Sequence, residues 1–368
     1  MFRLTLTKEQ LLIPLLTVSG AVDKKQSLAI LSNILFTPLE SKLLLSATDL
    51  EIEITASIEC NTTAPDSQIT IHAKKLMDII RSLDDGTPFT LQVDKGCAVI
   101  KAGRSQFRLA TLPADTFPSS KEEQNEVEFL PPRTVLIHLI QSTAFAIAQN
   151  DARIYLNGLF IELDDHKITA VAADGHRMAI CQYLSEQQRT PHHVLLPKKG
   201  VNELLRLLNN VPDENVSVAA GKGHLKLVTK EYRFRTALIE ARFPPYSKAI
   251  PRQQDKMVLV ERDLLKRALS RMMILAHEKS RAVILHVQPN QLTLIANNQE
   301  QEEGIESIEA ETEGNELKIG VNAGYLLDVL NFVQEGLVRL SMSTADSSML
   351  VESVTDEQYQ YIIMPMRI

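Results

Sequence analysis

Apolar residues recur along this chain at helical spacing in three places set one interval apart. Leu76, Ile79, Ile80 and Leu83 follow the i, i+3, i+4, i+7 rule of a helix's buried stripe, with Lys74, Lys75, Asp78 and Arg81 on the other face. Adding 125 to each number gives Val201, Leu204, Leu205 and Leu208, and adding 125 again gives Leu326, Val329, Leu330 and Val333. An acidic position travels with the stripe, as Asp78, Glu203 and Asp328. One such stripe predicts an ordinary core helix. Twelve apolar positions kept in register across two shifts predict an internal repeat.

Three short strand-like runs follow each predicted helix. After the first come Phe89 to Val93, Ala98 to Ala102 and Gln106 to Thr111. After the second come Val216 to Ala219, Leu225 to Thr229 and Tyr232 to Ala237; after the third, Val338 to Met342, Ser348 to Ser353 and Tyr359 to Met364. Phe107, Phe234 and Tyr361 mark the last run at intervals of 127. Prolines then fix extended connectors, LPADTFP (Leu112 to Pro118) and IEARFPPY (Ile239 to Tyr246).

Ahead of the second helix, Tyr155 to Leu163 and Lys167 to Ala173 read as a hairpin about Asp164-Asp165-His166, leading into the stretch Ala172 to Ile180. Copies lie at 31–54 and 281–303, with Asn33 echoing Asn157 and Ala47-Thr48-Asp49 echoing Ala172-Ala173-Asp174. Each unit opens on an amphipathic segment: Lys8 to Val18, Thr134 to Gln149, and Arg262 to His277. Leu12 and Ile137 differ by 125 but Ile137 and Leu265 by 128, so the copies have slipped. Each third therefore reads as helix, three strands, helix, three strands, an α+β arrangement with helices on one face of antiparallel sheets. Boundaries near Val127 and Asp255 predict three domains, 1–127, 128–254 and 255–368.

A chain of 368 residues, 44% hydrophobic, can fill several cores. Cys60, Cys97 and Cys181 are scattered and odd in number, which fits reduced thiols better than a disulfide framework. The apolar patch Leu11 to Leu16 is broken by Pro14, and no run reaches membrane length, so a soluble cytoplasmic protein is expected. Net charge is −7, which argues against nucleic acid only if charge is evenly spread. It is not. Eight glutamates and no lysine or arginine lie between Glu300 and Glu316, while base gathers at Lys24 and Lys25, Lys74 and Lys75, Lys198 and Lys199, and from Arg262 to Arg281.

Enzyme signatures are missing from the sequence: no phosphate-binding GxxxxGK[ST], no HExxH, no GxSxG and no metal-spaced cysteines. Asp174 and His176 could pair as acid and base beside Arg177, and His192 and His193 could ligate a metal; both are weak signals. Gly221-Lys222-Gly223 reads as a hairpin turn. An open single-strand binder is disfavoured by few aromatics, 5% with no tryptophan, for stacking on bases.

The threefold unit, ADGHRMAI at 173–180, the RFPPY connector, KKGVNELL at 198–205 and the closing YIIMPMRI together resemble the bacterial sliding clamps, the β subunits of replicative DNA polymerase, over the full length. The resemblance implies a DNA clamp fold, a ring-shaped homodimer of six domains with helices lining the central hole. Twelve helices about 10 Å wide span a circle of roughly 120 Å and leave a lumen of roughly 28 Å, room for a duplex and a layer of water. It implies no cofactor, metal or catalytic site, and tethering of the polymerase to duplex DNA independently of base sequence. It further implies as partners the replicative polymerase α subunit, an ATP-dependent clamp loader, and translesion polymerases and repair proteins.

Carried over position by position, the resemblance implies a groove between the second and third domains for short hydrophobic motifs. Its lining would be Arg153, Leu156, Ala173, Gly175, His176, Arg177 and Met178, then Pro244, Lys248, Ala249, Asn322, Tyr325 and Ser348, and finally Ile362, Ile363, Met364, Pro365, Met366 and Arg367. Ala173 stands where relatives often carry a hydroxyl, Lys248 where arginine is common and Ala249 where valine is common; lysine lacks the forked donors of arginine. DNA would meet Lys24, Lys25, Asn150, Tyr155, Lys198, Lys199 and Arg281. At the dimer joints Phe107 and Leu109 of one chain would face Ile274 and Leu275 of the other, with Lys75 and Arg104 opposite Glu300, Glu302 and Glu303.

Overall fold

The computed structural model describes residues 3–23, 28–60, 67–94, 96–118, 124–185, 190–252, 254–333, 336–356 and 358–367. Among them are six α-helices: α1 Lys8–Val18, α2 Ala73–Ser82, α3 Arg133–Gln141, α4 Lys198–Asn210, α5 Arg262–Met272 and α6 Ala323–Phe332. The chain divides into two compact units, Met1–Thr134 with Asn202–Leu238, and Val135–Val201 with Ile239–Ile368. The division falls inside α3 and α4.

The first unit holds two antiparallel sheets. One has four strands in the order Arg3–Thr7, Pro88–Asp94, Cys97–Ala102, Ser105–Ala110. The other has eight: Ile69–His72, Asn33–Pro38, Lys42–Thr48, Ile52–Glu59, Tyr232–Ala237, His224–Val228, Ser217–Ala220 and Val127–Phe129. Helix α1 opens on a capping box, the Thr7 hydroxyl accepting the Gln10 N–H while the Gln10 side chain accepts the Thr7 N–H at 2.9 Å. Leu11 and Leu15 of α1, Leu76 and Ile80 of α2, and Leu45 and Ile54 of the sheet are all fully buried, with α1 packed on the strands Lys42–Thr48 and Ile52–Glu59 and against α2.

The second unit repeats the plan. Its nine-stranded sheet runs His192–Pro197, Gly158–Asp164, Lys167–Ala173, Arg177–Leu184, Tyr359–Ile363, Met349–Ser353, Leu337–Met342, Lys256–Glu261, Glu311–Glu313. Its four-stranded sheet runs Glu303–Glu309, Gln291–Asn297, Ala282–Gln288, Leu317–Asn322. Leu265 and Leu269 of α5 and Leu326 and Leu330 of α6 have no exposed surface.

The hydrogen-bond ladders show the repeat independently of sequence spacing. Four residues before α1, Leu4 leads through paired partners Leu91 and Ile100 to Phe107. Four before α3, Phe129 leads through Val218 and Leu227 to Phe234. Four before α5, Val258 leads through Leu340 and Val351 to Tyr361. The three aromatic markers are therefore structural equivalents.

Several expectations need correction. A strand precedes each opening helix, and four strands, five in the third copy, lie between it and the second helix, so the unit is richer in strands than helix, three strands, helix, three strands. These strands are short, down to the three residues Val127–Phe129, and give little periodic signal. The first opening segment is helical over the predicted Lys8–Val18, but the second and third are shorter than predicted, ending at Gln141 and Met272. In α3 the Ser142 and Thr143 hydroxyls bond back to the carbonyls of His138 and Leu139 at 2.7 and 2.6 Å, and a 3₁₀ turn follows at Ala144–Ala146. Residues 154–157 form another 3₁₀ turn, so the predicted strand from Tyr155 begins at Gly158. Burial moves the alignment of opening helices by one residue: Leu11, Leu136 and Leu265 are the equivalent core positions, whereas Ile137 is half-buried. Of the twelve stripe positions, Ile79, Leu83 and Leu205 are half-buried, Leu83 because α2 ends at Ser82.

A cation caps each helix pair. The first residue of each opening helix bonds a carbonyl at the C-terminus of the second: Lys8 to Leu83 at 2.7 Å, Arg133 to Leu208 at 2.8 Å, and Arg262 to Leu330 at 2.8 Å. The charge meets the negative end of the helix dipole and satisfies a carbonyl left without an intrahelical donor. Arg133 also reaches the Asp213 carbonyl at 3.0 Å. Arg133→Ala is expected to lower unfolding free energy by about 1.5–3 kcal/mol, the range for hydrogen bonds to charged groups, and urea titration reads it.

Candidate functional site

In the second unit, one sheet face that could have been wetted is apolar instead. Leu195, Phe160, Val171 and Ile180 lie side by side across four strands, each directly paired with the next. Met178, Ile362 and Leu350 form a second such row. These seven residues and Phe243 make one buried cluster, with Tyr155, Ala173, Ile239, Ala241, Tyr246 and Ile250 packed against it and only partly covered.

The first unit shows what these positions look like on a plain outer face. Its equivalents, by the same ladders, are Thr70, Leu35, Ser46 and Thr55, then Glu53, Arg235 and Lys226. Six of seven are polar there and none is polar in the second unit. An antiparallel sheet with a solvated face would carry polar residues at these positions; here the face is apolar and residues of 239–250 pack against it.

The RFPPY connector is held onto this face. Phe243 stacks on Phe160 with ring centres 4.7 Å apart and planes at 11°, and meets Tyr155 edge-on at 6.2 Å. The Tyr246 hydroxyl donates to Glu162 Oε2 at 2.7 Å, and burial together with that carboxylate pushes its pKa up. Pro244, Lys248 and Ala249 are exposed beyond it.

A tight turn borders the cluster. Asp174 Oδ1 accepts the backbone N–H groups of His176 and Arg177 at 2.9 and 3.0 Å. Gly175 takes φ +89°, which favours glycine, and a Cβ there would come within 2.5 Å of the Arg153 guanidinium and displace that side chain. Arg153 is fixed by Asp151, whose carboxyl these bonds hold at about 2, so the pair stays charged until pH falls to that value. The His176 carbonyl in turn accepts the Met364 N–H at 2.8 Å, Met364 is 47% exposed, and its sulfur accepts the Ser348 hydroxyl at 3.1 Å. Met366 donates its N–H to the Gly320 carbonyl at 2.8 Å; Pro365 is half-buried and Arg367 exposed. The tail thus lies along the site with a thioether presented outward.

Strand alternation splits the predicted lining. Met178 and Ile362 pair on the cluster's face, whereas Arg177 and Ile363 pair on the opposite one, where Ile363 has no exposed surface. The Arg177 guanidinium lies 4.4 Å from the Tyr325 ring centre and 5.2 Å from that of Phe145. It bonds Asp174 at 3.1 Å, Asp328 at 2.5 Å and the Phe145 carbonyl at 2.8 Å. It is a strut between the turn and α6, where Asn322 caps the helix by accepting the Gly324 and Tyr325 N–H groups. Leu156 is also buried, at 4% exposure. Asp174 is engaged by the turn and by Arg177, and no cluster of three or more metal-binding side chains exists among the described residues, so His192 and His193 acquire no third ligand there.

Sequence reasoning missed Phe160, Phe243 and Leu350. Strand register alone brings them together, although the proline-flanked phenylalanine of RFPPY was a visible signal. The residues expected to meet DNA have different settings. Lys24 and Lys25 lie outside the described residues. Lys198 donates to the Ile147 carbonyl at 3.0 Å, and burial, with Arg177 nearby, lowers its pKa. Tyr155 belongs to the apolar cluster, Asn150 and Arg281 take left-handed φ of 55° and 48°, and Lys199 is exposed. Lys75, Arg104 and the three glutamates are exposed; Phe107, Leu109 and Leu275 are half-buried and Ile274 is 78% exposed. No helix among the described residues is long and apolar enough to cross a membrane.

Three copies of one helix–sheet unit, with the outer face of the nine-stranded sheet made apolar, define a repeat-built scaffold of the DNA clamp class. The N-terminal, central and C-terminal domain families of the DNA polymerase III beta subunit match residues 2–121, 131–245 and 247–367. The chain is 40% identical over 365 residues to the beta sliding clamp of Pseudomonas putida, covering 99% of both, and 37% identical over 366 residues to that of Escherichia coli K12, covering all of both. A Pseudomonas aeruginosa DnaN sliding clamp, solved bound to griselimycin, superposes with TM-score 0.96 at 38% identity over the whole of both chains. The Thermotoga maritima beta subunit does so with TM-score 0.93 at 25%. The chain belongs to the bacterial beta sliding clamps, the processivity subunits of DNA polymerase III.

Proposed function

We propose that this clamp is a homodimeric ring of two chains and six domains, 1–127, 128–254 and 255–368 in each, that encircles duplex DNA. It holds polymerases, an ATP-driven loader and repair proteins through short hydrophobic motifs bound on the apolar face of its second unit. The observation that carries the motif reading is the face itself, apolar at seven positions of which six are polar in the other copy. A bound segment would lay apolar side chains over Met178, Ile362 and Leu350 and against Met364, whose flexible thioether adapts to different partners. Lys198 and Arg281, with Lys24, Lys25, Asn150, Tyr155 and Lys199, would meet phosphates loosely enough for sliding. Tethering then raises the local concentration of polymerase at the primer end. Titration with a labelled hydrophobic motif peptide is expected to show Met364→Ala and His176→Ala each weakening binding by about tenfold, roughly 1.4 kcal/mol. Equal affinity in the parent and both variants would retire the site.

Strand register supports the dimer. In each unit the third strand of one copy pairs with the last strand of the next, Ile54 opposite Phe234 in the first and Ala179 opposite Tyr361 in the second. Of the strands of these two kinds, Glu303–Glu309 and Ser105–Ala110 have no such partner within the chain and lie at sheet edges. The same pairing between two chains sets Phe107 opposite Gly304, whose missing side chain leaves room beside Leu275, 3.3 Å from where a Cβ would sit. By analogy with Arg235 opposite Glu53, it would also bring Arg108 opposite Glu303. Two such joints about a twofold axis close the ring.

A further inference from the structure

The four-stranded sheet of the second unit carries a second apolar row on its outer face. Ile284, Ile295 and Ile305 are paired in register across three strands, and Ile284 is paired on its other side with Gly320. Directly paired residues share a face with Cβ atoms about 4.5–5.5 Å apart, so the three isoleucines form a continuous ridge. Ile305 is 60% exposed, and Ile284 and Ile295 are half-buried. Buried Val283, Leu285 and Leu294 occupy the opposite face, so the core has no need of the row.

Its place in the repeat gives the row a meaning. Gly320, Ile284, Ile295 and Ile305 are the ladder equivalents of Leu195, Phe160, Val171 and Ile180, the floor of the motif site, and of Thr70, Leu35, Ser46 and Thr55 in the first unit. The backbone around it matches too: Met366 donates to the Gly320 carbonyl at 2.8 Å as Ile239 donates to that of Leu195 at 2.9 Å. Met366 therefore belongs to the tail bordering the first site and also touches the end of the second row, making the two surfaces continuous. On the strand and face of Ile305, Glu303 and Glu309 stand at either end.

We infer that the Ile284–Ile295–Ile305 row is a second docking surface for an extended segment of a partner protein, one with alternate apolar side chains and lysine or arginine at its ends. This rests on the reading of the first face as a motif site. A joint formed at the edge of Glu303–Glu309 adds a strand beside the row without covering it, so each chain of the dimer offers two contiguous footholds, and a partner could keep one while exchanging the other.

Calorimetric titration of the full-length dimer decides the matter, using as probe a seven-residue peptide with leucine and phenylalanine at alternate positions and lysine at both ends. The parent is expected to take two peptides per chain. Ile295→Thr with Ile305→Thr, which installs a polar β-branched residue as the first unit does, is expected to leave one, with unchanged thermal midpoint and dimer mass. Met364→Ala with His176→Ala is expected to leave the other. A parent that saturates at one peptide, lost only in the Met364 and His176 variant, overturns the second surface and leaves the first standing. Loss confined to the isoleucine variant overturns the first site and keeps the row. An isoleucine variant that alters only self-association at high concentration makes the row a contact between chains, and the inference fails.

Discussion

An Ile274→Ala, Leu275→Ala double variant is expected to sediment as one chain of 41.2 kDa, where the parent sediments at about twice that mass. Ile274 is 78% exposed in the single chain, an unusual exposure for isoleucine, and its neighbour Leu275 lies against Gly304 of the edge strand that register would set against Phe107 of a second copy. Full burial of such a side chain contributes up to about 1.5–3 kcal/mol, so the two truncations remove at most roughly 3–6 kcal/mol from each joint, Leu275 contributing less because it is already half-buried in the single chain. That is a factor of roughly 10² to 10⁴ per joint, and closure needs both. The charges around the joint contribute less, about 0–1 kcal/mol for each exposed pair, and are screened by salt. Arg271 already holds Glu306 within the chain, so removing one acidic side chain should alter salt sensitivity more than dimer mass. An intact dimer of the double variant would count against the joint.

Arg177→Met should produce the second large effect. The guanidinium side chain is 12% exposed and lies between the carboxylates of Asp174, 17% exposed, and Asp328, 43% exposed. Its removal leaves two negative charges facing each other and strips a cation from the faces of Tyr325 and Phe145. Breaking a buried pair from one side costs roughly 3–5 kcal/mol, and the exposure of Asp328 points to the lower end, about 3 kcal/mol. In a unit of this size that corresponds to a fall in melting temperature of roughly 6–12 °C. Because the same turn carries the His176 carbonyl that holds Met364, peptide affinity should fall although Arg177 faces away from the apolar cluster. Adding Asp328→Asn to the variant should restore part of the stability. A thermal midpoint unchanged in Arg177→Met would show that the strut carries no load.

How much of this was legible in the sequence depended on whether the signal was local. The second helix of each repeat was readable because its stripe lies within one turn-by-turn pattern, and the last strand because Phe107, Phe234 and Tyr361 recur. The opening helices were harder: α1 contains Pro14, and four extra residues between the first residues of α3 and α5 disguise the match of Leu136 with Leu265. The apolar face was the least legible part. Its residues come from strands as far apart in sequence as Phe160 and Ile362, and only their pairing partners put them in one row. Likewise nothing local distinguishes Met178, which faces the cluster, from Arg177, which faces α6. A one-residue step along a strand reverses the side chain's direction, and the list of site residues implied by family resemblance could not carry that information.

Retention on DNA of two topologies tests the central claim most directly. Clamp loaded onto a closed duplex circle is expected to stay bound in salt high enough to abolish phosphate attraction, and to dissociate within the time of sliding once a nuclease linearises the circle. Equal retention on the circle and on the cut, free-ended duplex would mean that the protein grips DNA instead of enclosing it.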